Sequence, residues 1–157
     1  MVTRFNEKTW KELEMYKREH RVDKPIFATP IRIKNNVPVK GDVFVFEMRN
    51  DLNEIMGISW IRNYIYADKY YPIYSDGNYN RYIYKGQYRI SREDMSLDEI
   101  KIMNVFDALV FKGYDHVKRG QGIGRMPEKK CKGLKIGEKT LEECVKEMFI
   151  ERGYLQI

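Results

Sequence analysis

"DVFVFEMRNDLNEIMGISWIRN", residues 42–63, sets two apolar runs on either side of a short polar connection. The first, Val43 to Met48, is rich in β-branched and aromatic residues. "RNDLN" then supplies the Asn and Asp that turns favour, and "EIMGISWIRN" returns with Gly57 early in the run. This is the pattern of a β-hairpin, with Gly57 marking a place where the backbone bends or passes close to another. Upstream, "VPVKGD" is a turn that launches the first strand.

The flanking segments supply the other elements. Residues 6–20 read as a helix capped by Asn6, with Trp10, Leu13 and the aliphatic stem of Lys17 on one face, so Trp10 is expected to anchor it to the body. "IFAT", between Pro25 and Pro30, reads as a short strand, and "IRIK" is expected to continue it after a break. Nine of the twelve tyrosines fall within residues 64–90. In "NRYIYKGQYRI", Tyr82, Tyr84 and Tyr88 point to a second hairpin turning at Lys85-Gly86, preceded by an exposed loop, "YSDGNYN". Residues 97–110 carry a broad apolar face behind Ser96 as N-cap, with Leu97, Met103, Val105 and Phe106 assigned to the core. A Thr140/Glu143 capping box opens the last helix, and Gly153 stops it. Together these give an α+β chain, one domain over residues 1–157, built on a small curved sheet or barrel between N-terminal and C-terminal helices.

The net charge of +6 is unevenly placed. Residues 112–139 hold nine Lys and Arg against three acids, which is the whole excess; elsewhere 20 bases meet 20 acids. Within that segment, "FKGYDHVKRGQGIGRMPEKKCKG", residues 111–133, interleaves five glycines with cations. Such an asymmetry is the electrostatic footprint of a polyanion partner, against the blander reading of a loop kept soluble by lysines. Lys112, His116, Lys118, Arg119, Gln121, Arg125, Lys129 and Lys130 are the candidate nucleic-acid contacts, with glycine amides approaching phosphates and arginine gripping them. Trp60, Tyr79 and Tyr82 are the candidate walls of a base pocket, although strand aromatics most often pack.

Catalytic and metal signatures are weak. "GQGIG" lacks the third glycine of the dinucleotide fingerprint, and "GLKIGEKT" matches a phosphate loop only with an inserted residue. His20 and His116 are the only histidines and form no ligand spacing, so no metal or cofactor is expected. Cys131 and Cys144 have no CxxC spacing; Cys131 stands among lysines, where a depressed thiol pKa is one reading. Asp42, Glu47, Asp51 and Glu54 cluster around the hairpin and read as carboxylates of a solvent-facing turn. The protein is therefore read as a binder and not an enzyme. Its start lacks a signal-peptide h-region and no apolar run reaches ~20 residues, so an intracellular, membrane-free setting is expected. The Ile, Lys, Asn and Tyr enrichment hints at an AT-rich genome, such as that of a large DNA virus or a parasite.

Residues 42–63 resemble the strand–turn–strand hairpin with an early glycine found in PUA-like barrels, in particular the YTH and EVE branches, Gly57 matching the hairpin glycine. "VKRGQGIGRMP", residues 117–127, is similar to the basic stretch near the end of YTH domains, at Arg119 and Gln121. The two cover about a fifth of the chain. The resemblance implies a curved barrel flanked by helices and nucleic-acid recognition, RNA before DNA. It does not extend to the family's tryptophan cage, since "PIFATP" carries no tryptophan. The alternative is a structural or adaptor protein, such as one of a virion, whose basic loop docks on an acidic protein.

Overall fold

A computed structural model describes residues 1–155. Along the chain run β1 (Val2–Phe5), α1 (Glu7–Glu19), β2 (Ile26–Thr29), β3 (Asp42–Arg49), β4 (Glu54–Arg62), β5 (Tyr82–Ser91), α2 (Leu97–Phe111), a one-turn α3 (Glu128–Cys131), the two-residue strands β6 (Lys135–Ile136) and β7 (Lys139–Thr140), and α4 (Leu141–Glu151). Five strands form one sheet in the order β1-β3-β4-β5-β2, and β6-β7 is a separate small ribbon. The hairpin read from residues 42–63 is its antiparallel centre, β3 against β4, and β1 adds to β3 in parallel.

Two bulges curl this sheet. Phe46 faces Ile58 while Met48 faces Ile55, so Met56 and Gly57 together stand opposite Glu47. On the other side Trp60 faces Tyr88 but Ile61 faces Gly86, leaving Gln87 extra. Each bulge bends its strand and increases its twist. The curl carries the two edge strands back toward each other: Phe5 of β1 and Phe27 of β2 have ring centroids 6.5 Å apart, yet the strands do not pair. The result is a half-barrel with an open seam.

Each face of the sheet has its own core. Inside the curl, Val43, Val45, Ile61 and Ile83 meet Leu13 and Tyr16 of α1. Outside it, Phe46, Met48, Ile55 and Ile58 pack under Met103, Phe106 and Val110 of α2 and Val145, Met148 and Phe149 of α4. The predicted caps are formed: Asn6, Ser96 and Thr140 each accept from the backbone three residues on. Trp10 anchors α1 edge-on against Phe5, at 5.1 Å.

Four expectations are corrected. "IRIK" is not a strand: pairing ends at Thr29–Tyr82, Pro30 offers no N–H, and the Thr29 hydroxyl turns to the Ile31 carbonyl. The hairpin at Lys85-Gly86 does not exist, because β5 runs unbroken and Gly86 sits in its bulge, where a Cβ would lie 2.0 Å from the Trp60 carbonyl oxygen. Leu97 is 84% exposed and outside the core, being the first residue of its helix. Glu47 is buried and not solvent-facing; it lies within the curl, held by Arg89 at 2.6 Å and by the Ser59 hydroxyl at 2.6 Å. No helix among the described residues is long and apolar enough to cross a membrane.

Candidate nucleic-acid interface

The seam is where the basic segment goes. Val2 and Gly124 exchange both backbone hydrogen bonds, at 2.7 and 2.9 Å, so the segment docks on the free edge of β1. Ile123 drops into the inner core. Arg4 Nε donates to the Val117 carbonyl at 2.6 Å, and Asn50 Nδ2 to that of Lys118 at 2.8 Å. Residues 117–124 thus form a strap across the mouth of the half-barrel. Two of its glycines hold positive φ angles that other residues rarely adopt. A Cβ on Gly120, with φ +143°, would come within 2.9 Å of the Arg4 guanidinium carbon, and one on Gly122, with φ +68°, within 2.9 Å of Ile31 Cγ1. The glycines serve close fit here more than looseness.

Between strap and strand edges lies a groove of about 210 Å³. Arg4, Asn50, Lys118, Gly120, Gln121 and Gly122 line one side, and Tyr74 and Tyr79 with Phe27 and Pro30 the other. No carboxylate lines it. The backbone amides of residues 119–123 make no hydrogen bond among the described residues, and three of these residues, Gly120, Gln121 and Gly122, line the groove with Arg4 and Lys118. Burial pulls the Arg4 guanidinium below its usual pKa, and an arginine stays charged regardless. The tyrosines are placed by a locked loop. Asn80 bonds both backbone groups of Tyr74, at 2.9 and 2.8 Å, and Ser75 donates to Glu12 of α1 at 2.6 Å. Tyr74 is buried, which pushes its phenol pKa up; Tyr79 stands edge-on to it at 6.3 Å with 38% of its surface open.

Of the residues singled out from sequence, Lys118, Gln121 and Tyr79 meet in this groove, and Arg119 lies exposed on the strap between the first two. Lys112 and Lys129 are exposed and make no ion pair among the described residues. His116 is half-buried, its Nδ1 accepting from the Lys118 amide at 3.2 Å, a local turn contact. Three cations of the segment face its own or neighbouring acids. Lys130 pairs with Asp115 at 3.0 Å and donates to the Leu109 carbonyl at 2.7 Å, so it closes the C-terminus of α2 with little of it left exposed. Arg125 faces Glu128 at 3.6 Å, and Lys139 bonds Glu147.

The three aromatics do not share a cavity. Trp60 packs in the outer core against Phe44, Tyr88 and Phe149, and Tyr82 lies at the edge of the inner core with the Arg32 guanidinium 5.1 Å above its ring. Arg4, Asn50 and Tyr74 line the groove without any sequence signal, and only the curl brings "VTRF" and "YPIY" together. Burial pushes the Cys131 thiol pKa up despite the lysines, which goes against a depressed, reactive thiol and agrees with an incidental one. No cluster of three potential metal ligands exists among the described residues.

Comparison of the chain with protein-family models, curated proteins and solved structures yields no match to any of them.

Proposed function

We propose that this protein is a non-catalytic binder of single-stranded nucleic acid, RNA in preference to DNA, with the seam groove as its contact site. One observation carries this reading: the groove joins two cations, three strap residues whose backbone amides make no hydrogen bond among the described residues, and an exposed tyrosine, with no acid among its walls. Lys118, Arg119 and the amides of residues 119–123 would hold phosphates, and Tyr79 would stack a base. The curled sheet with its early hairpin glycine and basic strap is compatible with a PUA-like barrel, and the preference for RNA rests on that resemblance.

Fluorescence anisotropy with labelled single-stranded RNA, single-stranded DNA and duplex tests it. The expected result is binding that falls steeply with salt, with a slope reduced by about one to two in the Lys118→Ala/Arg119→Ala double variant. Tyr79→Ala should weaken single-strand binding by about 1–3 kcal/mol without loss of fold. Absence of binding to every oligonucleotide at low salt, together with a salt-sensitive complex with an acidic protein, would favour an adaptor role instead.

A further inference from the structure

The bulge in β5 opens a second hollow, of about 280 Å³, beside Trp60. It lies far from the seam: Asp42 lines the hollow and Asn50 the seam groove, and the extended strand between them spans about 25 Å. Gly86 is obligatory in the bulge, as the Trp60 carbonyl stands where its Cβ would be, so β5 presents no side chain at that point. The hollow is walled by Trp60 and Tyr88, and Tyr88 is held flat by Tyr154, stacked 4.6 Å away at 10°. Trp60 and Tyr154 pack on the outer core, and Tyr88 is held through its stack on Tyr154.

The charges on the walls define the guest. Tyr66 also lines the hollow, but its face already carries the Lys85 ammonium at 4.7 Å, so the cage does not await an external cation. Lys85 makes one side-chain hydrogen bond, to the Tyr71 hydroxyl at 2.8 Å, which leaves donor capacity on a group with three N–H. Arg62 is 73% exposed, and its nearest carboxylate, Asp42, is 3.8 Å away, beyond hydrogen-bond reach. Two cations with unspent donors therefore face one carboxylate beside the rings of Trp60 and Tyr88, which are 5.7 Å apart and tilted 34° to one another. The volume is close to the lower end of small-molecule sites, ~300 Å³.

We propose that this hollow binds a small heteroaromatic anion, a planar ring bearing a phosphate, with the ring against Trp60 and Tyr88 and the phosphate between Arg62 and Lys85. The assignment is independent of the seam. Titration of the ¹⁵N-labelled protein with AMP, followed by NMR, tests it. AMP should move the Trp60 indole signal and the Gly86 and Tyr88 amides together along one saturable curve, with adenosine and inorganic phosphate each weaker by about tenfold, the worth of one charge-assisted contact. Arg62→Gln, a change on a solvent-facing side chain, should weaken AMP by a similar factor while the rest of the spectrum stays in place, and Lys85→Gln should do the same where its spectrum shows the fold kept. Unmoved Trp60 signals at millimolar AMP, equal binding of adenosine, or an unaffected Arg62→Gln protein would overturn the proposal. Shifts confined to Tyr79, Gly120 and Gly122 would also overturn it and leave the seam reading standing.

Discussion

Glu47 and Gly86 show how much a single residue decides here. A carboxylate inside the curl would be costly alone, and it is held by three contacts from Arg89 between 2.6 and 3.0 Å and by the Ser59 hydroxyl. Glu47→Ala would strand the Arg89 guanidinium among apolar neighbours. The expected loss is about 3 kcal/mol, the lower end for a broken buried pair because a quarter of the arginine still meets water; urea denaturation measures it. Gly86→Ala must displace the Trp60 carbonyl, since the contact is with backbone and not with a movable side-chain tip. A loss of at least about 1–3 kcal/mol is expected by the same measurement, with the β4–β5 register disturbed near Trp60. Replacing Gly133 with Ala is milder: nothing lies within 4 Å of its Cβ, so only the positive φ of 78° opposes it, at about 1 kcal/mol.

Among the elements, the helices carry their stability at their ends as well as on their faces. In α2, Glu99 closes the capping box on the Ser96 amide at 2.9 Å and receives Arg152 from the end of α4 at 2.7 and 2.8 Å. The Arg152 contact holds the Glu99 carboxyl below the usual glutamate range, with the Ser96 bond adding to it. A depressed folded value means stability that is present above the unfolded pKa of about 4.3 and is lost as pH falls through the folded one. Glu99→Gln should therefore lower stability at pH 7 by about 1–3 kcal/mol and flatten the acid limb of the stability curve, as read from denaturation midpoints between pH 7 and pH 3. At this same end of α4, Gly153, with φ +74°, and Tyr154 bond back to Ile150 and Phe149, the paired contacts of a glycine-terminated helix. That turn also delivers Tyr154 onto Tyr88, so the helix stop helps to build the hollow beside Trp60.

Over the whole molecule, the strap that crosses the open seam comes from the basic segment and brings Lys118 and Arg119 there. A half-barrel with unpaired edges needs a cover, and the strap supplies it with one backbone pair, one buried isoleucine and two side-chain tethers. Ile123→Ala should cost about 2–5 kcal/mol if it acts as a plug. Hydrogen exchange should then show Val2 and Gly124 losing protection ahead of β3 and β4. In binding, the same variant should lose more affinity than its global stability explains, because the amides of residues 119–123 would no longer be held in one arrangement.

What the sequence determined by itself is local. The β3–β4 hairpin, the three capped helices, the glycine stop of α4 and the charge excess of residues 112–139 follow from turn chemistry, capping and composition, which act within a few residues. Tertiary structure decided what depends on strands meeting at long range. The bulge turned an expected hairpin at Gly86 into one continuous strand, and the curl placed Glu47 inside. The sheet's two faces separated Trp60 from Tyr79, and Lys130 was drawn to Asp115. Arg4 and Tyr74 entered the groove only because closure of the sheet brings β1 beside the tyrosine loop. No local pattern encodes a curl set by one extra residue in each of two strands, because its effect appears in the strands it bends together.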